Sequence, residues 1–226
     1  MCSATMTALR GLRPAASTAA VLPGHELRFN VPGLPGVEPS WASVEPVGAA
    51  AGATLESTDE NDDGEEATRK RRRRRKEQVS PVVHGVLYSL TEEDFAAVCR
   101  TEGVPLAYTL HRCRVVPYVG NGSDAGRLAL EDSYSNINTG KARGKGSLPA
   151  YTLRAASKSL RAQPQSADEP PSRSYVNVLI RGAREFGLDR EYVEGLETMP
   201  TGRTVWGDGT AERMLDAAIE RRERRR

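Results

Sequence analysis

Residues 46–79 set the strongest limit on what this chain can fold into. The stretch runs from an Ala/Gly-rich segment through an acidic one, Glu56 to Glu66, into eight consecutive basic residues from Arg69 to Lys76. It offers too little apolar surface to offset the entropy lost on ordering. The sequence therefore predicts a disordered insertion, with a core assembled from the segments on either side. Composition agrees: hydrophobic residues are 38% of the 226 and charged residues 27%, apolar-poor for a chain packed along its whole length. The formal net charge of +2 conceals the two blocks, which cancel in the total while acting locally as separate patches.

Before the insertion, Leu27, Phe29 and Val31 alternate with Arg28 and Asn30 as a half-buried strand does, and Trp41 to Val44 reads as a second short strand. After it, Val83, Gly85 and Leu87 alternate with Val82, His84, Val86 and Tyr88. Both faces are largely apolar, which predicts a strand buried on two sides. Thr91 is placed to cap a helix, with Asp94 three residues on as in a capping box and Leu90 and Phe95 at staple spacing. Phe95, Val98 and Cys99 form its apolar stripe, and Gly103 stops it. Residues 108–119 and 149–155 alternate as strands, separated by a polar, Gly-rich loop over 121–147. Ser172 caps a helix with Val176, Leu179, Ile180, Ala183 and Phe186 on one face and Gly187 past its end. Asp189 caps a second helix, and residues 210–226 read as a last helix with an arginine-rich end. Strands interrupted by single helices imply an α+β fold with a small mixed, barrel-like sheet, not a doubly wound one.

Many chemistries are excluded by what is missing. There is no phosphate-binding loop, dinucleotide fingerprint, nucleophile elbow or Cys/His metal spacing. His25, His84 and His111 occur singly and read as packing or surface residues. Cys2, Cys99 and Cys113 show no paired spacing, as free thiols in a reducing compartment do. No apolar run approaches the roughly 18 residues of a membrane span. The first twenty residues share the acid-free, Ala/Ser/Thr-rich composition of transit peptides, but the simpler reading is an extension ahead of the domain. Glu102 stands out. It ends a short helix just before Gly103, where the helix dipole opposes a carboxylate. That suits a carboxyl group that both takes and returns a proton, while the simpler reading of the pattern alone is a solvated helix-end glutamate.

The stretch VVHGVLYSLTEEDFAAVCRTEGVPLAY carries a V-x-G-V-x-[YW]-x-[LM] strand, a short helix and then E-G-V. The stretch PSRSYVNVLIRGAREFGLDREYVEGLETMP carries Y-x-x-x-x-I-x-G-A-x-E-x-G-L-x-x-x-Y-x-x-x-L. In this order and spacing the two resemble the gamma-glutamylcyclotransferase family, and LRFNVPGLPGVEPSWASVEP is similar to that family's early strands. The resemblance implies that Glu102 is the catalytic acid/base. It also implies that Tyr108 (one residue out of register), Tyr151 and Tyr175 contact substrate. The family's opening Y-G-S-N turn, whose backbone amides bind the substrate carboxylate, has no counterpart before Val21. The expectation is a gene whose coding sequence begins further upstream.

The implied function is cofactor-independent, metal-free cyclisation of a gamma-glutamyl amino acid, amine or peptide to 5-oxoproline. The implied partner is that small molecule, with no membrane involved, and the implied compartment is the cytoplasm, with the nucleus or an organelle as alternatives. Two rival readings stand beside it: a catalytically dead binding or regulatory protein on the same fold, and a nucleic-acid-associated protein acting through Arg69 to Lys76. That block also suits an import receptor, though a solvated loop is the favoured reading. The expected organisation is an extension over 1–20, the domain over 21–200 interrupted at 46–79 and 121–147, and a basic helical tail over 201–226.

Overall fold

The computed structural model describes residues 3–34, 36–47, 82–119, 126, 128–129, 146–156, 169–204 and 209–224. The basic block, most of 46–79, most of 121–147 and Cys2 lie outside these residues, and so do the expectations placed on them. The described strands are β1 (Ala16–Pro23), β2 (His25–Pro32), β3 (Ser40–Pro46), β4 (Val82–Ser89), β5 (Tyr108–Pro117) and β6 (Leu148–Ala155). The helices are α1 (Glu92–Thr101), α2 (Arg173–Glu185), α3 (Arg190–Glu197) and α4 (Thr210–Glu223), and a wide π-helical turn, Thr5–Leu9, precedes β1.

Four strands form an antiparallel sheet in the order β4-β1-β5-β6, and β2 and β3 form a separate antiparallel ribbon. β1 runs along the whole of β4, from Ala16 opposite Ser89 to Pro23 opposite Val82, but meets β5 only at Ala20 and Val21. The ribbon lies with β3 beside β6 and β2 beside β4. The strands thus form a curled antiparallel half-barrel with a few helices, the α+β, barrel-like class implied by the order of elements.

β1 explains both the stability of the sheet and why that strand is hard to see in the sequence. Ala19 and Val21 face the helices, in a cluster with Val116, Val176, Ile180, Ala183, Val193 and Leu196. Ala20 and Leu22 face the barrel interior with Val83, Cys113 and Val115. A strand buried on both faces needs no polar alternation, and small residues suit a position between two layers. The residues assigned from sequence to an extension over 1–20 therefore include an inner strand. Its backbone covers what are otherwise two exposed sheet edges. Residues 3–13 are also part of the fold, since Met6 and Leu12 pack on Val98 of α1.

Further differences follow from burial. Arg28 and Asn30 are buried along with Phe29 and Val31, so β2 is not half-solvated. Its polar side chains join an internal network. Ser43 Oγ lies 2.7 Å from Asn30 Oδ1, and Glu45 accepts from Arg154 Nε at 2.7 Å and from the Ala155 amide at 3.2 Å. The capping box at α1 is only half made. Thr91 Oγ1 accepts from the Asp94 amide, but the Asp94 carboxylate is turned to the amide of Arg13. Leu90 packs with the Met6 cluster while the Phe95 ring meets Tyr151, so the two staple residues serve different neighbours. The tail docks as well: Leu215 is buried, and Asn177 and Arg181 of α2 bind Glu212 and Asp216 of α4.

Candidate active site

Thr91 starts α1 and three acidic residues occupy its first turn, where the helix dipole favours them. Glu102 is the capping residue at the other end, and its amide reaches the Val98 carbonyl at 2.9 Å. Gly103 follows with φ of +69°, a conformation that costs a residue with a Cβ. This stop sets the direction of the Glu102 side chain. The side chain is 15% exposed and forms an ion pair with Arg10, which is 14% exposed. Arg10 is held there by its own neighbourhood. It follows the π-helical turn, Gly11 turns the chain at φ of +68°, and the Leu12 amide returns to the Met6 carbonyl at 3.0 Å. Met6 and Leu12 then anchor the turn against the helix that carries Glu102.

Two tyrosines converge on the same region from other elements. Tyr108, the first residue of β5, donates its hydroxyl proton to the Ala42 carbonyl at 2.9 Å. Tyr175, in the first turn of α2, accepts from the Ala42 amide at 3.4 Å, and its ring is edge-on to Trp41 and Phe29. Burial raises the pKa of both hydroxyls, with Glu102 reinforcing the shift and Arg10 opposing it; Tyr175 is pushed up to about 12 and Tyr108 further. Glu102, Arg10, Tyr108 and Tyr175 therefore form one electrostatic neighbourhood. Both phenols stay protonated near neutral pH and can serve as donors.

The position of Tyr175 is fixed by Glu38, which is 2% exposed. The Glu38 carboxylate accepts from the Ser172 amide at 2.8 Å and from Ser172 Oγ, and Ser172 Oγ accepts from the Tyr175 amide at 3.0 Å. An anion at a helix N-terminus, satisfied by amide and hydroxyl, locks the start of α2 to the β2–β3 connection.

Of the residues singled out in the sequence, Glu102, Tyr108 and Tyr175 are brought together. Tyr151 is not. It is 58% exposed on β6, with its ring centroid 5.7 Å from that of Phe95. Arg10 escaped notice because it lies in the segment read as an extension, and Glu38 because a single acid beside a proline has no periodic signal. The histidines are less scattered than their spacing suggested. His25 and His111 approach to 3.2 Å between Nε2 atoms, and His84 Nδ1 lies 3.0 Å from the Tyr118 hydroxyl. Among the described residues no cluster of three or more His, Cys, Asp or Glu side chains could hold a metal. Two concavities, one of about 220 Å³ lined by Ser3, Thr7, Ile219 and Arg222 and one of about 330 Å³ lined by Asn177, Arg181 and Glu212, border neither Glu102 nor the tyrosines.

Similarity to known proteins makes this a gamma-glutamylcyclotransferase-like chain. Residues 82–196, just over half of the chain, match the AIG2-like family, and the chain belongs to that family. It is 28% identical over 191 residues to gamma-glutamyl cyclotransferase gliK of Claviceps purpurea (strain 20.1), a match covering 84% of this chain and 62% of that relative's length. Among solved structures it is similar to an uncharacterized protein from Homo sapiens, with a TM-score of 0.52 at 16% identity over 94% of each chain. A gamma-glutamyl cyclotransferase structure matches at a TM-score of 0.48 and 14% identity, over 95% of this chain and 94% of that one. No described helix is long and apolar enough to cross a membrane.

Proposed function

We propose that the chain is a gamma-glutamylcyclotransferase, converting a gamma-glutamyl amino acid, amine or peptide to 5-oxoproline and the free amine. The observation that carries this reading is the convergence of Glu102, Tyr108, Tyr175 and Arg10 from four separate segments in a chain of this family. The reaction is intramolecular. Its barrier falls when the substrate is held folded with its α-nitrogen near its γ-carbonyl, and a well-oriented intramolecular attack gains several kcal/mol, roughly 7–11 at best. Glu102, as the carboxylate, removes a proton from the α-ammonium. The freed amine attacks the γ-carbonyl carbon, forming the new C–N bond and a tetrahedral oxyanion. Collapse of the oxyanion breaks the original amide C–N bond as Glu102 returns its proton to the departing nitrogen. The second proton of the ring nitrogen passes to the freed amine, so the products are the neutral lactam and the ammonium form of the amine. Tyr175 accepts its bond from Ala42 and so keeps its own proton for the oxyanion.

The test is Glu102→Gln with 5-oxoproline release as the readout. Glutamine keeps the size of the side chain but cannot exchange the proton, so kcat should fall about 10²- to 10⁴-fold with KM little changed. Glu92→Gln and Glu93→Gln, in the first turn of the same helix, should keep normal turnover. Near-normal release of 5-oxoproline by the Glu102→Gln protein rules out this assignment.

A further inference from the structure

We infer that Arg10 is the cation that binds the α-carboxylate of the substrate, and that its ion pair with Glu102 is a resting contact that places this anion beside the catalytic base. The inference rests on the functional reading above for the identity of the substrate, and on geometry for the rest. Any gamma-glutamyl group carries an ammonium and a carboxylate on one carbon, so the two charges lie roughly 3 Å apart. A base positioned at that ammonium therefore has the carboxylate as an immediate neighbour, and burying the carboxylate without a cation is costly. Backbone amides of a turn such as Y-G-S-N can meet that need, and so can a guanidinium within one side chain's width of Glu102, which is what the described residues place there.

Arg10 meets each requirement. One guanidinium nitrogen, Nη2, is on Glu102 Oε1, while Nη1 is buried with no hydrogen-bond partner among the described residues. A buried N–H without an acceptor is uncommon in a folded protein and costs the full desolvation of that group. A ligand carboxylate at Nη1 would relieve that cost. The planar guanidinium offers its two terminal nitrogens side by side, so an anion on Nη1 lies alongside the carboxylate on Nη2. The α-ammonium between the two anions is then shared by Glu102 and its own carboxylate, the arrangement the first proton transfer needs. The other part-buried guanidiniums of the barrel are committed: Arg28 contacts Glu26 at 3.2 Å, and Arg154 contacts Glu45 at 2.7 Å.

The test compares two ring molecules that differ only in the carboxylate, 5-oxoproline and 2-pyrrolidone, titrated into the full 226-residue chain and its Arg10→Gln and Arg10→Lys variants. Calorimetry or ligand-observed NMR gives the Kd, and a thermal melt confirms that each variant is folded. Arg10→Gln should weaken 5-oxoproline about 10- to 100-fold, as expected for losing a hydrogen bond to a charged group. It should leave 2-pyrrolidone unchanged, and Arg10→Lys should fall between. Equal losses for both ligands would show a purely structural role and overturn the inference. So would unchanged binding of 5-oxoproline, or no binding of it by the parent chain. A parallel assay compares a gamma-glutamyl anilide with its α-carboxamide: the parent prefers the carboxylate, and Arg10→Gln abolishes that preference. If the parent binds 5-oxoproline through Arg10 yet cyclises neither substrate, the catalytic reading fails while the carboxylate site stands.

Discussion

Tyr108 and Tyr175 flank one backbone unit, Ala42, but bind it in opposite senses, and the difference predicts different outcomes for the same substitution. Tyr108 gives its proton to the Ala42 carbonyl at 2.9 Å. Tyr108→Phe leaves that acceptor unmet inside the protein, so it should cost about 1–2 kcal/mol, read as a lower urea midpoint at unchanged slope. Tyr175 only accepts, and through a longer contact of 3.4 Å. Tyr175→Phe should cost less stability and more turnover, appearing in kcat because an oxyanion donor acts in the transition state. With burial holding Tyr175 at about 12 and Tyr108 higher still, neither hydroxyl should impose an alkaline limb on the rate near the ordinary phenol value of about 10.

At the scale of elements, two helix starts are held by buried polar groups. Glu38 fastens the N-terminus of α2 through Ser172, so Glu38→Ala should destabilise the protein by about 1.5–3 kcal/mol. It should also slow turnover, because Tyr175 lies in the turn that Glu38 fixes. The start of α3 is held differently. Asp189 caps it by accepting from the Glu191 and Tyr192 amides, and its own amide donates to the Tyr118 hydroxyl. The same hydroxyl lies 3.0 Å from His84 Nδ1. Burial lowers the pKa of His84, with Asp189 opposing the shift. Below the unfolded value of 6.5 the unfolded chain takes up a proton that the folded chain refuses, so stability is lost as pH falls through 6.5 and levels off below the folded value. Melting temperatures measured between pH 8 and pH 5, taken as roughly bracketing the histidine range, should decline more steeply for the parent than for His84→Gln.

For the molecule as a whole, closure of the barrel depends on β1, and β1 is held by the segment ahead of it. Leu12 is buried against Met6 and Val98, and the Ala15 amide donates to the Ser89 carbonyl at 2.9 Å just before the β1–β4 ladder begins. Leu12→Ala should cost about 2–5 kcal/mol, the range for a leucine removed from a packed core. It should also lower turnover, since the same packing sets Arg10 against Glu102. Deleting residues 1–20 should abolish cooperative unfolding, because it removes most of an inner strand and leaves the facing edges of β4 and β5 unpaired. Retention of a single sharp transition after that deletion would show that these residues are the dispensable extension their composition suggests.

The sequence by itself determined the elements whose signals are local. The α1 cap at Thr91 and stop at Gly103, the apolar face of α2 from Val176 to Phe186, the Asp189 cap and the strand β4, buried on its two faces at Val83 and His84 but only partly beyond them, all follow from spacing and capping chemistry within a few residues. The place of Glu102 at that helix end was legible for the same reason, since a helix end and a following glycine are written in adjacent positions, whereas its assignment as the acid/base came from the family resemblance. Tertiary structure alone decided the rest. β1 has no alternation because both its faces are covered, so its small residues look like a tail until β4 and β5 lie on either side. Arg28 and Asn30 look solvent-facing until Ser43 and Glu45 close over them. Arg10 gains its meaning only when a turn 92 residues from Glu102 in sequence packs on the same helix. Charge pairing, and burial on a second face, depend on which distant segments meet, and no local pattern encodes that.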